Sequence, residues 1–457
     1  MSNLIPDLTN REKWLLYMKD IPSPRNYIDW TWRYIIAAAL QRRVWCPPAH
    51  MPLFANMYQI LVGKAALGKG LCLTPAKEFL TYWKKKDAIL LNGESPKEFM
   101  DLAKMVHDSD MEAAREAQLN PKDKKQEIID PLLIPMSSDA ITYEAFVDEV
   151  ARSYSRIEYV EFDEKEQKNK IKFYGHCSTC FVLPELASLL RKRTDDTVNY
   201  MLGLYDCPLD YEYKTKTQGK DRVRRGCLNL LAGTTPDFMQ DLLNAKLIDQ
   251  GFGSRTFFIY SNKNQVEKDE FFFPELTREQ KIAKVDMLNH IRKLTTLYGQ
   301  VRFGDGVVEY LSNWWRERRS VINKTHSKLD GFKGREKVHV MKLAMAEHFS
   351  ESLDLTIELP AFKRAIEVLL EEEKTMHLAL MLEGGNDNKS QNVANRILSL
   401  LGEKGKQNDV EILIACHGLG DRATIEDAKS FLVETKQIVT EDVIDETGDK
   451  IIYWKLV

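Results

Sequence analysis

The chain has 457 residues, enough for about two or three domains, and its 44% apolar and 29% charged side chains make an ordinary globular balance. Its 65 basic side chains against 68 acidic ones leave a net charge of −3, so any nucleic-acid contact must come from a local basic patch. The longest purely apolar run, Tyr34 to Leu40, falls far short of the roughly 20 residues of a membrane span.

The opening MSNLIPDLTNREKW lacks the basic-then-apolar layout of a secretory signal. With seven cysteines, this points to reduced thiols in a cytoplasm. Residues 1–52 read as a helical collar, with a helix from Trp30 to Arg43 stopped by Pro47-Pro48.

From 53 to about 270, short apolar runs alternate with helical segments. Met57–Val62 is of strand length, Leu71–Lys84 is helical, and Asp87–Leu91 resembles another strand. A helix over Thr142–Ser155 follows, and Cys180–Leu183, Cys227–Ala232 and Thr256–Tyr260 read as buried strands. Runs apolar on both faces, alternating with helices, predict an α/β fold with a mostly parallel sheet between helical layers. Two stretches break the alternation as β-hairpins, 156–174 and 211–225. Residues 271–384 are helical, and Gly384–Ser390 has the composition of a linker. The segment 391–457 reads helix, helix, helix, hairpin, the order of a winged helix. The three helices are Asn392–Leu401, Asn408–Cys416 and Thr424–Val433, and the strands are Ile438–Val443 and Ile451–Leu456.

The strongest chemical signal is Gly63-Lys-Ala-Ala-Leu-Gly68-Lys69-Gly70, which fits G-x-x-x-x-G-K between a strand and a helix. Glycines let backbone N–H groups curl around a phosphate, and the helix beginning near Gly70 and Leu71 aims its positive end at the anion. Lys69 then reaches the β- and γ-phosphates of ATP. The hydroxyl residue that ordinarily ligates Mg²⁺ is replaced by Gly70. A nucleotide hydrolase also needs an acid at the end of a neighbouring strand. Glu185, after Cys180-Phe-Val-Leu-Pro184, supplies one carboxylate for the metal, with Pro184 in place of the usual Asp before it. The same Glu185 also suits a plain helix N-terminus. Thr234, in Leu230-Leu-Ala-Gly-Thr-Thr-Pro236, can hold the attacking water or the γ-phosphate; the Thr-Pro pair equally suits a helix start. Arg255, just before the strand Thr256–Tyr260, lies at the sheet's rim, either as a surface residue or within reach of a neighbouring subunit's nucleotide.

The 211–225 hairpin carries Lys214, Lys216, Lys220, Arg222, Arg224 and Arg225 against Glu212 and Asp221, a net +4. Such a hairpin neutralises backbone phosphates, or else uses its lysines to block edge-to-edge aggregation. The 391–457 segment is acidic, with 8 basic and 12 acidic side chains, which makes a packing or partner-docking role at least as fitting as tight DNA binding. The Cys177-x-x-Cys180 pair has no second pair at metal spacing and reads as buried thiols.

These residues together resemble the AAA+ ATPase domain of phage and mobile-element replication proteins, related to the MCM-like replicative helicases. The similar stretches are Tyr27–Trp30 through Arg43–Trp45, the loop 63–70, Leu183–Leu186, Tyr211–Lys216, Leu230–Pro236 and Gly251–Arg255. The match spans about 27 to 265, with a looser one through the following helices. The resemblance implies a P-loop AAA+ core over 53–270, an α-helical lid over 271–384 and a C-terminal winged helix. It also implies an arginine finger at Arg255, pore-lining hairpins at 211–225 and 156–174, and a lid arginine on the γ-phosphate. Within Gly334–Ala344, Arg335 fits that last role, with Lys342 as the other choice.

The function expected from this is an ATP- and Mg²⁺-dependent helicase or translocase for phage or mobile-element replication in a bacterial host. It would act as a ring, as a hexamer, on single-stranded or forked DNA. The other reading is a nucleotide-gated initiator or loader that binds DNA and recruits a partner without unwinding. A primase or another replication protein is a further candidate partner.

Overall fold

The computed structural model describes residues 8–47, 52–82, 134–137, 142–163, 168–190, 194–215, 219–244, 251–263, 274–322, 329–380, 389–434, 437–444 and 450–456. Contacts divide the chain into two compact units, Met1–Thr235 with Leu242–His377, and Pro236–Asp241 with Leu378–Val457.

The first unit is α/β and is built on a five-stranded sheet. Its order is Tyr154–Asp163, Lys168–Leu183, Gly226–Thr234, Tyr58–Val62, Thr256–Tyr260. The last four run parallel and the first is antiparallel to its neighbour. Every residue of Tyr58–Val62 and of Gly226–Thr234 is buried, which explains why these segments read as continuous apolar runs. Tyr58–Val62 lies between strands that come third and fourth among the parallel ones, so the chain's crossovers diverge at its C-terminal end. Open α/β sheets bind ligands at such a point. The expected strand at Asp87–Leu91 lies outside the described residues. Met136 instead forms a parallel bridge to Cys180 on the far side of Lys168–Leu183.

The segment expected as a helical collar falls within the first unit. Helix Arg25–Leu40 is buried on nearly every residue and packs on the sheet and on helix Lys69–Thr81. It ends at Leu40, short of the expected Arg43, because Gln41 adopts φ +50 and the chain turns into the strand Val44–Cys46. Arg42 and Arg43 are therefore interior. Arg42 Nη1 donates to Pro208 O at 2.6 Å, and Arg43 bonds to Thr295 O.

The helices after 271 belong to the same unit. They are Arg278–Leu294, Val307–Ile322, Asp330–Lys333, Glu336–Glu351 and Leu359–Leu380, the last as far as His377. Buried polar links bind them to the N-terminal segment. Lys13 pairs with Asp286 at 2.8 Å, Arg33 with Glu347 at 2.6 Å, and Trp30 Nε1 donates to Glu372 at 2.7 Å. Removing one partner of either ion pair strands a buried charge, a cost of about 3–5 kcal/mol.

The 156–174 hairpin differs from its expected form. Strand Tyr154–Asp163 pairs antiparallel with the first half of Lys168–Leu183, whose second half is itself a central strand of the sheet. The hairpin is thus an extension of the core sheet. Its register runs without interruption from Asp163↔Lys168 to Tyr154↔Cys177, which the charged turn hid from a local reading.

The second unit holds helices Lys389–Lys404, Asp409–Ala415 and Arg422–Glu434 and the hairpin Ile438–Ile444 with Lys450–Leu456. A short strand, Gln407–Asn408, adds to the hairpin's edge. Val393, Ile397, Leu401, Ile412, Ala428 and Leu432 fill its core. Most of the expected linker lies outside the described residues.

Candidate functional site

The loop after Tyr58–Val62 turns sharply at Ala66 (φ +64) and Gly68 (φ +78) before helix Lys69–Thr81 begins. Glycine is needed at 68, because a Cβ there would overlap the Pro22 carbonyl oxygen. At Gly63 a Cβ would meet Leu67 and the Tyr27 hydroxyl, both at 2.5 Å. The Tyr27 hydroxyl is in turn bonded to Val62 O at 2.6 Å. Pro22 and Tyr27 thus wall the loop from the N-terminal segment, a role no local motif announced.

Lys69 folds back onto the loop, its Nζ donating to Gly63 O at 2.6 Å and Lys64 O at 2.9 Å. Burial lowers its pKa below the ordinary lysine value, an effect partly offset by nearby Glu185. Among the described residues, the N–H groups of Ala65, Ala66, Gly68, Lys69 and Gly70 donate to no acceptor. The N–H of Leu71 is already taken by Gly68 O at 3.0 Å, so Leu71 contributes no donor. A turn of unpaired N–H groups at the positive end of a helix is an anion-binding concavity.

Glu185 and Thr234 come to the same rim. Thr234 pairs in register with Val62, the last residue before the loop. Gly233 lets the neighbouring strand ends close up. A Cβ there would sit 2.6 Å from Pro184 O and 3.6 Å from Lys69 Cβ, and Leu186 N bonds to Gly233 O at 2.7 Å. Glu185 is exposed, whereas the Thr234 hydroxyl is buried with no hydrogen-bond partner among the described residues. A buried hydroxyl left unpaired costs about 1–3 kcal/mol unless a ligand or water satisfies it. Helix Pro236–Asn244 follows in sequence, as the Thr-Pro pair allows. The orphaned hydroxyl and the N–H turn fit a phosphate group, and Glu185 places an exposed carboxylate at the same rim. Gly70 and Pro184 bring no donor side chain.

Arg255 is at the opposite edge. It precedes Thr256, which pairs with Tyr58, whereas the loop follows Val62, which pairs with Tyr260. The four residue steps between these rungs separate the two edges by about 13 Å. Arg255 Nη2 is bonded to Asp206 Oδ2 at 3.1 Å, and Arg335 Nη1 reaches Oδ1 of the same carboxylate at 3.4 Å. Lys342, the other choice beside Arg335, is fully buried. Its ammonium donates to Phe54 O, Asn56 O and Asn56 Oδ1, and burial pushes its pKa down to about 8. Arg335 keeps a partly exposed guanidinium; Lys342 does not.

Both hairpins rise from this same edge. In the second, Asp210–Thr215 pairs with Gly219–Arg224, with Lys214 opposite Lys220 and Glu212 opposite Arg222. Lys216 lies outside the described residues, and Arg224 is exposed. Arg225 has a structural task at φ +50. Its Nη1 donates to Gly175 O at 3.1 Å, and its own carbonyl accepts from Cys177 N at 3.2 Å. On the first hairpin, Phe173 is 47% exposed and lies 3.4 Å beneath the Arg156 guanidinium, a cation–aromatic pair that charge counting missed.

All seven cysteines are buried free thiols. Cys177 and Cys180 sit within Lys168–Leu183, and His176 between them and Ser155 is buried with its pKa well below the usual histidine value.

No protein-family model matches the chain, and no curated protein matches it in sequence. No helix among the described residues is long and apolar enough to cross a membrane.

Proposed function

We propose that the chain is an ATP-dependent DNA helicase or translocase of the AAA+ type, serving replication of a phage or mobile element in a bacterial cytoplasm. It works as a ring, a hexamer, with ATP between subunits. The observation that carries this reading is the division of the candidate residues between opposite edges of one sheet. Lys69, Glu185 and Thr234 converge at one edge, and Arg255 and Arg335 at the other. A phosphate held by the loop lies beyond the reach of the same chain's arginines, so a second copy must supply them.

In this reading the N–H turn at 65–70 and Lys69 bind the phosphates, which is electrostatic work done by fixed dipoles and one ammonium. Thr234 orients water or the γ-phosphate, and Glu185 polarises the attacking water. Mg²⁺, when bound beside Glu185, would neutralise phosphate charge. Arg255 and Arg335 of the adjoining copy offset the charge that builds on the transferred phosphoryl group. The hairpins, with Lys214, Lys216, Lys220, Arg222 and Arg224, hold a DNA strand by its phosphates, and Phe173 adds a surface on which a base can stack. The second unit takes the role of a winged helix for partner docking.

The test is ATP turnover and strand unwinding by the purified chain, alone and with Lys69→Ala or Arg255→Ala. Loss in each variant, with partial recovery when the two are mixed, supports the shared site. Turnover indifferent to both removes it.

A second reading, a nucleotide-gated initiator or loader, is favoured by Gly70 and Pro184 at the metal-ligating positions. It predicts single-turnover hydrolysis without unwinding, together with capture of another helicase.

A further inference from the structure

Two arginines drawn from distant parts of the chain, Arg255 and Arg335, meet on the carboxylate of Asp206. Asp206 directly follows helix Thr194–Tyr205, where the negative end of the helix disfavours an acidic side chain. It is 47% exposed, yet its neighbours Tyr205 and Cys207 are buried. Nothing in the helix calls for an acid there; the two guanidiniums do.

Each arginine is braced by contacts beyond its bond to Asp206. Arg255 lies over the Tyr205 ring at 5.7 Å and bonds to Gly251 O at 3.3 Å. Gly251 has φ +105, and a Cβ on it would stand 3.0 Å from Arg255 Nη1, so a glycine is what leaves room for the guanidinium. Arg335 caps helix Glu336–Glu351. One turn later His339 bonds to the carbonyl of Ser254, the residue before Arg255. The helix therefore fixes its own arginine and the turn that carries the other. Two like charges held this close repel. One carboxylate between them cancels half of that charge and leaves a surplus of one positive charge at a partly exposed face.

We propose that Asp206 is a positioning residue that holds Arg255 and Arg335 side by side as a two-armed clamp for a phosphate group, the terminal phosphate of ATP carried by a second copy of the chain. Asp206 itself does not touch the phosphate. The inference rests on the ATPase reading above.

The experiment is steady-state ATP turnover by the full chain with DNA present, comparing wild type, Asp206→Asn, Asp206→Glu and Asp206→Ser. Asp206→Asn should lower kcat at least about tenfold. The KM for ATP should stay within about twofold, because the nucleotide is held by the loop of the other copy. Asp206→Glu should restore most of the loss. Mixing Asp206→Asn with Lys69→Ala should give more turnover than either alone, since an intact loop then faces an intact clamp. A thermal midpoint equal to wild type separates a positioning effect from misfolding, and Asp206→Ser replaces the amide variant should that one unfold. An unchanged or raised kcat in a folded variant overturns the proposal, as does failure of mixing to restore turnover. If wild-type turnover depends on Lys69 and not on Asp206, only this inference falls. If it does not depend on Lys69, the ATPase reading falls with it.

Discussion

Lys69 donates its ammonium to the carbonyl of Gly63, 2.6 Å away across the turn that separates them. Two residues of the G-x-x-x-x-G-K motif are thus bonded to one another. An anion entering the loop must draw the ammonium off two neutral carbonyls, which a phosphate oxygen can do because its negative charge attracts the ammonium more strongly than a carbonyl dipole does. Lys69→Ala should therefore lower kcat for ATP by about 10²–10³-fold, the usual cost of removing one fixed charge-stabilising group. Single-turnover kinetics at saturating ATP read this out directly.

The loop's glycines should respond in opposite ways. A side chain at Gly70 meets nothing within 4 Å, so Gly70→Ser should fold normally and, on the ATPase proposal, add a hydroxyl ligand for Mg²⁺. The Mg²⁺ concentration for half-maximal turnover should fall, by about tenfold if the new ligand contributes about 1.4 kcal/mol. Gly68→Ala, at φ +78 and against the Pro22 carbonyl, should destabilise the unit by about 1–2 kcal/mol or more and abolish nucleotide binding. Magnesium titration and thermal unfolding distinguish the two.

DNA affinity should carry the mark of the 211–225 hairpin. Alanine at Lys216 or Lys220 should flatten the slope of log affinity against log salt by about one per lost phosphate contact and weaken binding uniformly across sequences. Fluorescence anisotropy at several salt concentrations measures it. Phe173→Ala, by contrast, should weaken single-strand binding by about 1–3 kcal/mol with the salt slope unchanged.

Stability should fall as pH rises through the neutral range, in part because of Glu372. Burial beneath Trp30 pushes its carboxyl up to about 8, from 4.5 for an ordinary glutamate. Between these values the folded chain keeps a proton that the unfolded chain has released, so each added pH unit costs the folded state up to about 1.4 kcal/mol. Below about 4.5 both states are protonated and the dependence vanishes. Glu372→Gln keeps the shape of the side chain and removes the titration. Denaturant melts between pH 5 and 8 should show a flatter profile for the variant.

Local signals were the legible ones. The strand Tyr58–Val62, the glycines at 63 and 68, the rim positions of Glu185 and Thr234, and the helices of the second unit all follow from composition over a few residues. What escaped is what only the folded chain brings together. Asp206 lies 49 residues from Arg255 and 129 from Arg335, and no periodicity links them. Lys342 carries the same charge type as Arg335 seven positions earlier, and only burial among the carbonyls of 54 and 56 separates their roles. The apolar run predicts a helix from Trp30 to Arg43, whereas it ends at Leu40 and leaves Arg42 and Arg43 in the interior. Their partners, Pro208 O and Thr295 O, are too remote in sequence to announce that two arginines are interior.

Arg225 stitches the root of one hairpin to the root of the other, through its guanidinium on Gly175 and its carbonyl on Cys177. A substitution that removes the guanidinium therefore leaves the Gly175 carbonyl without this donor, while the main-chain bond to Cys177 remains.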